Sequence, residues 1–198
     1  EAVKLLADRS GLKLPDAQYD DTTANLRRRI YEANREAARF FHETLFTEKG
    51  KAQLDYLVRR NISPKMIKHF GLGAAPDDWH ALEEHLRQKG FKQSELVAAN
   101  LVRYTEKNGK RYYYDAFRAK VIYPVIDLRG NVVAFGGRVL DNSKPKYINT
   151  SDTDVFHKRK TVFGLNFARD AIHRANRSII VEGQIDAIKM QTNGFGET

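Results

Sequence analysis

Residues 121–139, which read VIYPVIDLRGNVVAFGGRV, contain the strongest indication of the fold. Two apolar runs, Val121–Ile126 and Val132–Phe135, flank the polar turn Arg129-Gly130-Asn131. Apolar runs on both sides of a turn that contains glycine predict two antiparallel strands joined as a hairpin. Pro124 has no backbone N–H group, so we expect its strand to lie at a sheet edge or to be locally irregular.

A second hairpin is predicted immediately before this one. Leu101–Tyr104 and Arg111–Tyr114 flank the dipeptide Asn108-Gly109. Asn-Gly is the preferred pair for a tight two-residue turn, because both of its residues tolerate positive φ angles. The middle of the chain is therefore expected to be antiparallel β structure.

Helices are predicted on both sides of the hairpins. Apolar residues recur at spacings of three and four between Leu26 and Leu45, which indicates an amphipathic helix. Ser63-Pro64 has the cap and first-turn residues of a helix start, and Asp77 or Asp78 can begin a helix that includes Trp79. A further helix is expected over Leu165–Ala175.

The end of the chain has the pattern of an α/β unit. Ser178–Val181 is predicted to be a short buried strand, followed by a helix over Ile185–Thr192. Glu182 would then lie at the carboxyl end of the strand, the rim where α/β sheets bind ligands. A carboxylate there can bind a divalent metal or act as a general base, whereas Asp186 is equally well explained as a helix cap.

Charge and composition narrow the classes of partner. The 198 residues carry a formal net charge of +9, which favours an acidic partner such as nucleic acid over a merely basic surface. There are no cysteines, so disulfides and thiolate metal sites are excluded within this chain. No apolar run approaches the length of about 20 residues that crosses a bilayer, and we expect no membrane association.

Two basic segments are candidates for contacts with a ligand. Six cations and five aromatic residues are interleaved between Arg103 and Lys120, a composition that suits unpaired bases and phosphates. A hairpin with a packed aromatic face and a solvated basic face explains this segment equally well. Downstream of Gly136-Gly137, Arg138, Lys146 and Lys158 could hold a triphosphate, although a glycine-kinked strand with a polar loop is the simpler explanation.

Taken in order, several segments resemble the bacterial DnaG-type primases. The matching segments are Tyr56–Ser63, Phe70–Pro76, Asp115–Arg118, Val121–Val125, Phe135–Leu140, Pro145–Ser151, Phe156–Lys158, Gly164-Leu165 and Val181–Asp186. The resemblance implies an α+β fold in which a basic N-terminal subdomain of helices and antiparallel hairpins precedes the start of an α/β toprim fold. It divides the chain into residues 1–14, a tail after a zinc-binding module, residues 15–168, the N-terminal subdomain, and residues 169–198, the start of the toprim domain.

The resemblance also implies roles for particular residues. Glu182 matches the toprim glutamate, a catalytic and metal-binding position, and its partner aspartates are expected beyond the chain end. The residues that match nucleotide positions are Arg138, Lys146 and Lys158, and those that match DNA-binding positions are Arg60, Arg118, Lys120 and Tyr112. Asn61 and Gln184 depart from the family, which usually has glycine and an aromatic residue at these positions.

The implied activity is synthesis of short RNA primers on single-stranded DNA by metal-dependent nucleotidyl transfer. The implied cofactors are Mg²⁺ or Mn²⁺, with Zn²⁺ only in the full-length protein, and the partners are a single-stranded template, nucleoside triphosphates and a replicative helicase. Such a protein works in the bacterial cytoplasm, and this chain alone is expected to lack primer synthesis. Another toprim enzyme, such as a topoisomerase or nuclease, and a non-enzymatic single-strand-binding module remain as alternatives.

Overall fold

A computed structural model describes residues 9–10, 21–141 and 145–198. Its helices are α1 (Asp21–Leu45), α2 (Lys51–Arg59), α3 (Pro64–His69), α4 (Ala81–Gln88), α5 (Gln93–Ala98), α6 (Leu165–Ala175) and α7 (Gln184–Thr192). Its strands are β1 (Gly73–Ala75), β2 (Val102–Lys107), β3 (Lys110–Asp115), β4 (Lys120–Ile126), β5 (Val132–Val139) and β6 (Tyr147–Asn149). Most of the tail expected over residues 1–14 lies outside the described residues.

The main sheet is antiparallel and has the strand order β1-β4-β5-β6. The predicted hairpin is confirmed, since β4 pairs with β5 from Lys120 and Val139 to Ile126 and Val132. β4 is a central strand, so an edge position for the whole strand is wrong. However, β1 reaches only to Ile122, and the register shifts between Val125 and Ile126. Pro124 itself pairs in regular register with Phe135, but its missing N–H falls beyond the end of β1, where it leaves no ladder bond to β1 unmade.

Strands β2 and β3 form a separate two-stranded sheet. The predicted turn is confirmed, because Asn108 and Gly109 both have positive φ angles, 54° and 69°. The base of the hairpin is buried at Val102 and Asp115, whereas the residues next to the turn are exposed. The hairpin therefore projects from the rest of the molecule as an arm.

Helix α1 covers one face of the main sheet. Most of its predicted apolar stripe is buried, and the ring of Phe41 lies 5.5 Å from that of Phe135 and 6.3 Å from that of Phe117. Helices α4 and α5 complete this core through Leu82, Leu86 and Leu96. Burial of large apolar side chains, at about 1.5–3 kcal/mol each, is the main force that holds α1 on the sheet.

The opposite face of the sheet carries a second core. Val121 and Tyr123 of β4 point to this side, where they pack with residues of α2, α3 and α7. Helix α7 contributes Ile185 and Ile188, of which Ile188 is fully buried. The C-terminal helix is thereby attached to the sheet on the face opposite α1.

The strand predicted over Ser178–Val181 is not formed in the described structure. The segment has no regular secondary structure and no strand partner among the described residues, and Ile180 is 91% exposed. A hydrogen bond from the Ile179 N–H to the Glu197 carbonyl, at 3.0 Å, ties it to the end of the chain. An apolar run becomes a buried strand only when neighbouring strands accept its hydrogen bonds and cover its side chains. The mixed helical and antiparallel fold class is nevertheless confirmed.

Gly73 allows β1 to lie directly against the backbone of α1. A β-carbon at this position would be 2.7 Å from the carbonyl carbon of Phe41 and 2.8 Å from its oxygen. We expect Gly73→Ala to lower the free energy of unfolding by about 1–3 kcal/mol, because the helix must move away from the strand. Urea denaturation measures the change. Gly196→Ala is the control, since its β-carbon would come no closer than 3.3 Å to its nearest neighbour, the methyl group of Ala171; equal losses would contradict the explanation.

None of the described helices is long and apolar enough to span a membrane.

Candidate nucleic-acid interface

One face of the projecting hairpin is basic and aromatic. Side chains alternate between the two faces of a strand, and the strand register places Arg103, Thr105 and Lys107 opposite Tyr114, Tyr112 and Lys110. These six side chains therefore share one face, and none of them is acidic. Tyr112, which was predicted to contact DNA, is 53% exposed on this face.

Trp79 lies beside the base of this face. It precedes helix α4, which begins later than predicted. The helix starts at Ala81, and its free N–H groups are capped from a distance: Leu82 and Glu83 donate to the Asp115 carboxylate at 2.8 and 2.9 Å. Trp79 therefore belongs to the preceding turn, and its carbonyl accepts a hydrogen bond from the Asp115 N–H at 2.8 Å. The indole ring is 53% exposed.

Asp115 is a structural residue rather than a ligand contact. It is only 4% exposed. Burial raises the pKa of its carboxyl to about 7, while the hydrogen bonds from Leu82 and Glu83 act in the opposite direction. Since its side chain holds α4 and its backbone holds the Trp79 turn, Asp115 fixes the position of the exposed indole.

Arg118 and Lys120 extend the basic face past Trp79. The Arg118 guanidinium lies 4.0 Å from the centre of the Trp79 ring and forms an ion pair with Asp77 at 2.7 Å. The Lys120 ammonium donates to the Arg118 carbonyl at 2.9 Å, and burial lowers the pKa of Lys120. We call this continuous surface the aromatic-basic strip; it comprises Trp79, Arg103, Lys107, Lys110, Tyr112, Tyr114, Arg118 and Lys120. The Trp79 and Tyr114 rings, 6.0 Å apart, join its two parts.

A second basic cluster lies on the α2 and α7 side of the main sheet. The guanidinium carbons of Arg60 and Arg138 lie 5.4 and 5.3 Å from the centre of the Tyr56 ring. Arg138 is also 4.9 Å from the Tyr147 ring, and its guanidinium donates a hydrogen bond to the Tyr147 hydroxyl. β5 and β6 create this last contact by pairing Arg138 with Tyr147. We call these four residues the arginine–tyrosine cluster.

The arginine–tyrosine cluster has an excess of positive charge. Within residues 21–141 and 145–198, neither Arg60 nor Arg138 has a carboxylate partner in an ion pair. The hydroxyls of Tyr56 and of neighbouring Tyr123 are buried without a hydrogen-bond partner, and burial raises the pKa of both phenols. The cluster therefore offers two cations to an anion.

The two lysines that were predicted to contact the nucleotide together with Arg138 lie at different places. They are Lys146 and Lys158. Lys146 directly precedes Tyr147, and its carbonyl accepts a hydrogen bond from the Val139 N–H at 3.1 Å. Lys158 begins a short 3₁₀ turn two residues after Phe156, which belongs to the same buried cluster as Ala134 of β5. Ala134 and Arg138 are separated by about 13 Å of extended strand, so Lys146 adjoins the arginine–tyrosine cluster, whereas the turn that begins at Lys158 follows a residue anchored near a more distant part of β5.

Glu182 is exposed immediately before α7. Two residues later, the Gln184 side chain lies against Gly136, on the same face of β5 as Arg138. The α7 start thus sits over the part of the sheet that carries the arginine–tyrosine cluster. No ion pair of Glu182 occurs within the described parts of the chain.

The acidic residues near Glu182 can supply part of a metal site. A carboxylate oxygen is a suitable ligand for Mg²⁺ or Mn²⁺, and Asp186 brings a second carboxylate back over Gly183. However, the described residues contain no group of three or more acidic or histidine side chains that could hold a metal ion. Glu182 therefore fits the chemistry of a metal ligand without completing a set.

The comparisons with known proteins agree on one family. Residues 40–169 match the model of the DNA primase catalytic core, N-terminal domain. A DNA primase from Clostridium acetobutylicum is 41% identical over 198 residues, which cover 98% of this chain and 32% of that protein. The chain therefore spans about a third of the length of the curated relatives it matches.

Solved structures give the same result. The RNA polymerase domain of Mycobacterium tuberculosis primase DnaG superimposes with a TM-score of 0.79 at 33% identity, covering 86% of this chain and 55% of that one. A DnaG primase catalytic domain bound to single-stranded DNA gives 0.78 at 31% identity, covering 88% and 53%. These matches do not favour a topoisomerase or a nuclease. The chain belongs to the family of bacterial DnaG-type DNA primases.

Proposed function

We propose that this chain is the part of a primase that holds the template strand and the incoming nucleotide. In the longer protein it would contribute to the synthesis of short RNA primers on single-stranded DNA. The observation that carries this proposal is the aromatic-basic strip, in which exposed rings and cations form one surface. Cations suit a phosphate backbone, and exposed ring faces suit unpaired bases, so the strip is a surface for a single strand.

The template would follow the strip from Lys120 and Arg118 toward Tyr112. Trp79 and Tyr112 would stack on bases, while Arg118 and the hairpin lysines would neutralise phosphates. Stacking accepts any base, so little sequence preference is expected from these contacts. One relative in the same fold was solved with single-stranded DNA bound, which supports this class of ligand.

The arginine–tyrosine cluster would receive the triphosphate. Arg138 and Lys146 would neutralise its charge, and Lys158 would reach it from a more distant part of the sheet. Glu182 would hold a divalent metal ion together with carboxylates of the remaining toprim domain. When bound, that metal ion supplies charge stabilisation during phosphoryl transfer.

The division of the chain remains part of the proposal. Residues 15–168 would form the basic subdomain and residues 169–198 would begin the toprim domain, a boundary that the end of the family match at residue 169 supports. In the longer protein we expect an upstream zinc-binding module and a helicase-binding region, which would place the protein at the replication fork in the cytoplasm.

Binding to a mixed-sequence oligonucleotide across a salt series tests the proposal. We expect log affinity to fall by about 0.7 per neutralised phosphate for each unit of log salt concentration. Arg118→Ala should weaken binding and reduce the slope by about that amount. Arg169→Ala is the matched control, because Arg169 also forms an exposed ion pair, with Asp170. A response that does not change with salt would refute the template surface.

A further inference from the structure

The most unusual feature of the arginine–tyrosine cluster is that two guanidinium groups share one aromatic ring. We propose that Tyr56 is a positioning residue that holds Arg60 and Arg138 in place as a single site for a triphosphate. The inference rests on the proposed function, because the triphosphate of the incoming nucleotide is the expected ligand. It also assigns Arg60, which the family resemblance groups with the DNA-binding positions, to the same anion as Arg138.

The local structure explains how the two arginines meet. Tyr56 is in α2 and Arg60 caps that helix one turn later, so their side chains lie on the same face. Arg138 comes from β5, far away in the sequence, and is also in contact with Tyr147 of β6. Tyr56 is therefore the side chain that links the cation of the helix with the cation of the sheet.

The positive charge of both arginines suits an aromatic ring as the group that holds them. Two guanidinium groups repel each other, and among the described residues no carboxylate pairs with either one. The face of a phenol ring attracts a cation without neutralising it. Tyr56 can thus hold both arginines in place and still leave their full charge for a phosphate, which a carboxylate in the same position would not do.

The role assigned to Tyr56 rests on its ring and not on its hydroxyl. The hydroxyl is buried and makes no hydrogen bond of ordinary geometry in the described structure, although Arg60 lies close enough to oppose the rise in the pKa of the phenol that burial causes. Removing it should therefore leave the ring, and both contacts with the arginines, in place. Tyr56→Phe and Tyr56→Leu consequently separate the ring from the hydroxyl: the first keeps the aromatic face, whereas the second keeps only an apolar side chain.

The experiment measures binding of inorganic triphosphate to this chain by calorimetry. We expect Tyr56→Phe to bind within about twofold of the unchanged chain, and Tyr56→Leu to bind about five- to thirtyfold more weakly. In an Arg138→Ala background, the further effect of Tyr56→Leu should be much smaller, because part of what the ring positions is already absent. Arginine side-chain NMR signals, shifted by the ring in the unchanged chain and in Tyr56→Phe, should return toward free values in Tyr56→Leu.

The outcomes separate this inference from the proposed function. If Arg138→Ala loses triphosphate binding but folded Tyr56→Leu does not, or if Tyr56→Phe is as weak as Tyr56→Leu, the positioning role is wrong and the nucleotide site stands. If the unchanged chain binds no triphosphate, both are wrong. Should Tyr56→Leu fail to fold, Tyr56→Met replaces it, since a flexible thioether fills the same space without an aromatic face.

Discussion

Replacement of Glu182 by Gln is expected to reduce primer synthesis by about two to three orders of magnitude. The measurement requires a longer protein in which this chain is continued through the rest of the expected toprim domain. The metal ion that such a ligand holds stabilises the charge that develops during phosphoryl transfer by several kcal/mol. Each 1.36 kcal/mol lost from this stabilisation corresponds to about a tenfold lower rate. Gln has nearly the same shape as Glu but no charge, so it would hold a divalent cation poorly.

The position of Glu182 makes this expectation specific. Its side chain is exposed, and the adjoining α7 is fixed by buried Ile188 and by the contact of Gln184 with Gly136. The substitution should consequently leave the fold intact. Single-stranded DNA affinity should also be retained, because the aromatic-basic strip does not include Glu182.

A matched substitution controls for the loss of an exposed carboxylate in general. Asp170 of α6 is an exposed carboxylate of the same C-terminal region, and Asp170→Asn should leave primer synthesis unchanged. Primer synthesis by Glu182→Gln at the rate of the unchanged protein would contradict the catalytic role of Glu182. Loss of template binding together with synthesis would instead indicate a damaged fold.

Local signals in the sequence predicted most of the elements. Both hairpins and helices α1, α6 and α7 were predicted close to their observed positions, since periodicity and the Asn-Gly turn depend only on neighbouring residues. Even the departure at Asn61 is accommodated: the residue takes a φ of 58°, a conformation that asparagine tolerates better than most residues. The turn after α2 therefore does not require the glycine that the family usually has.

Long-range partners determined what the sequence did not predict. Trp79 was expected inside a helix, because the cap that starts α4 comes from Asp115, more than 30 residues away. The run Ser178–Val181 looked buried, yet strand formation depends on partners that an apolar run does not specify. Likewise, the spacing of Tyr56 and Arg60 indicates one shared helix face, but no spacing rule indicates that Arg138 would meet them there, because that contact depends on how α2 packs on β5.

Replacement of Trp79 by Ala is expected to weaken single-stranded DNA binding by about five- to a hundredfold. Stacking of a base on an aromatic side chain contributes about 1–3 kcal/mol, and the indole also supports Arg118, a second contact of the strip. Trp79→Phe should recover part of the affinity, because it restores an aromatic face. The measurement is direct, since Trp79 is the only tryptophan of the chain, and a base stacked on it should quench its fluorescence.

Two exposed tyrosines on opposite faces of the hairpin test where the strand lies. Tyr112 is in the aromatic-basic strip and Tyr104 is on the other face, with 53% and 44% of their surfaces exposed. Tyr112→Ala should therefore weaken binding, whereas Tyr104→Ala should not.

An oligonucleotide with abasic sites should bind through its phosphates but quench Trp79 less, because no base is available to stack. Equal quenching by both oligonucleotides would show that the indole senses the phosphate backbone, and stacking would then be the wrong account of the exposed Trp79.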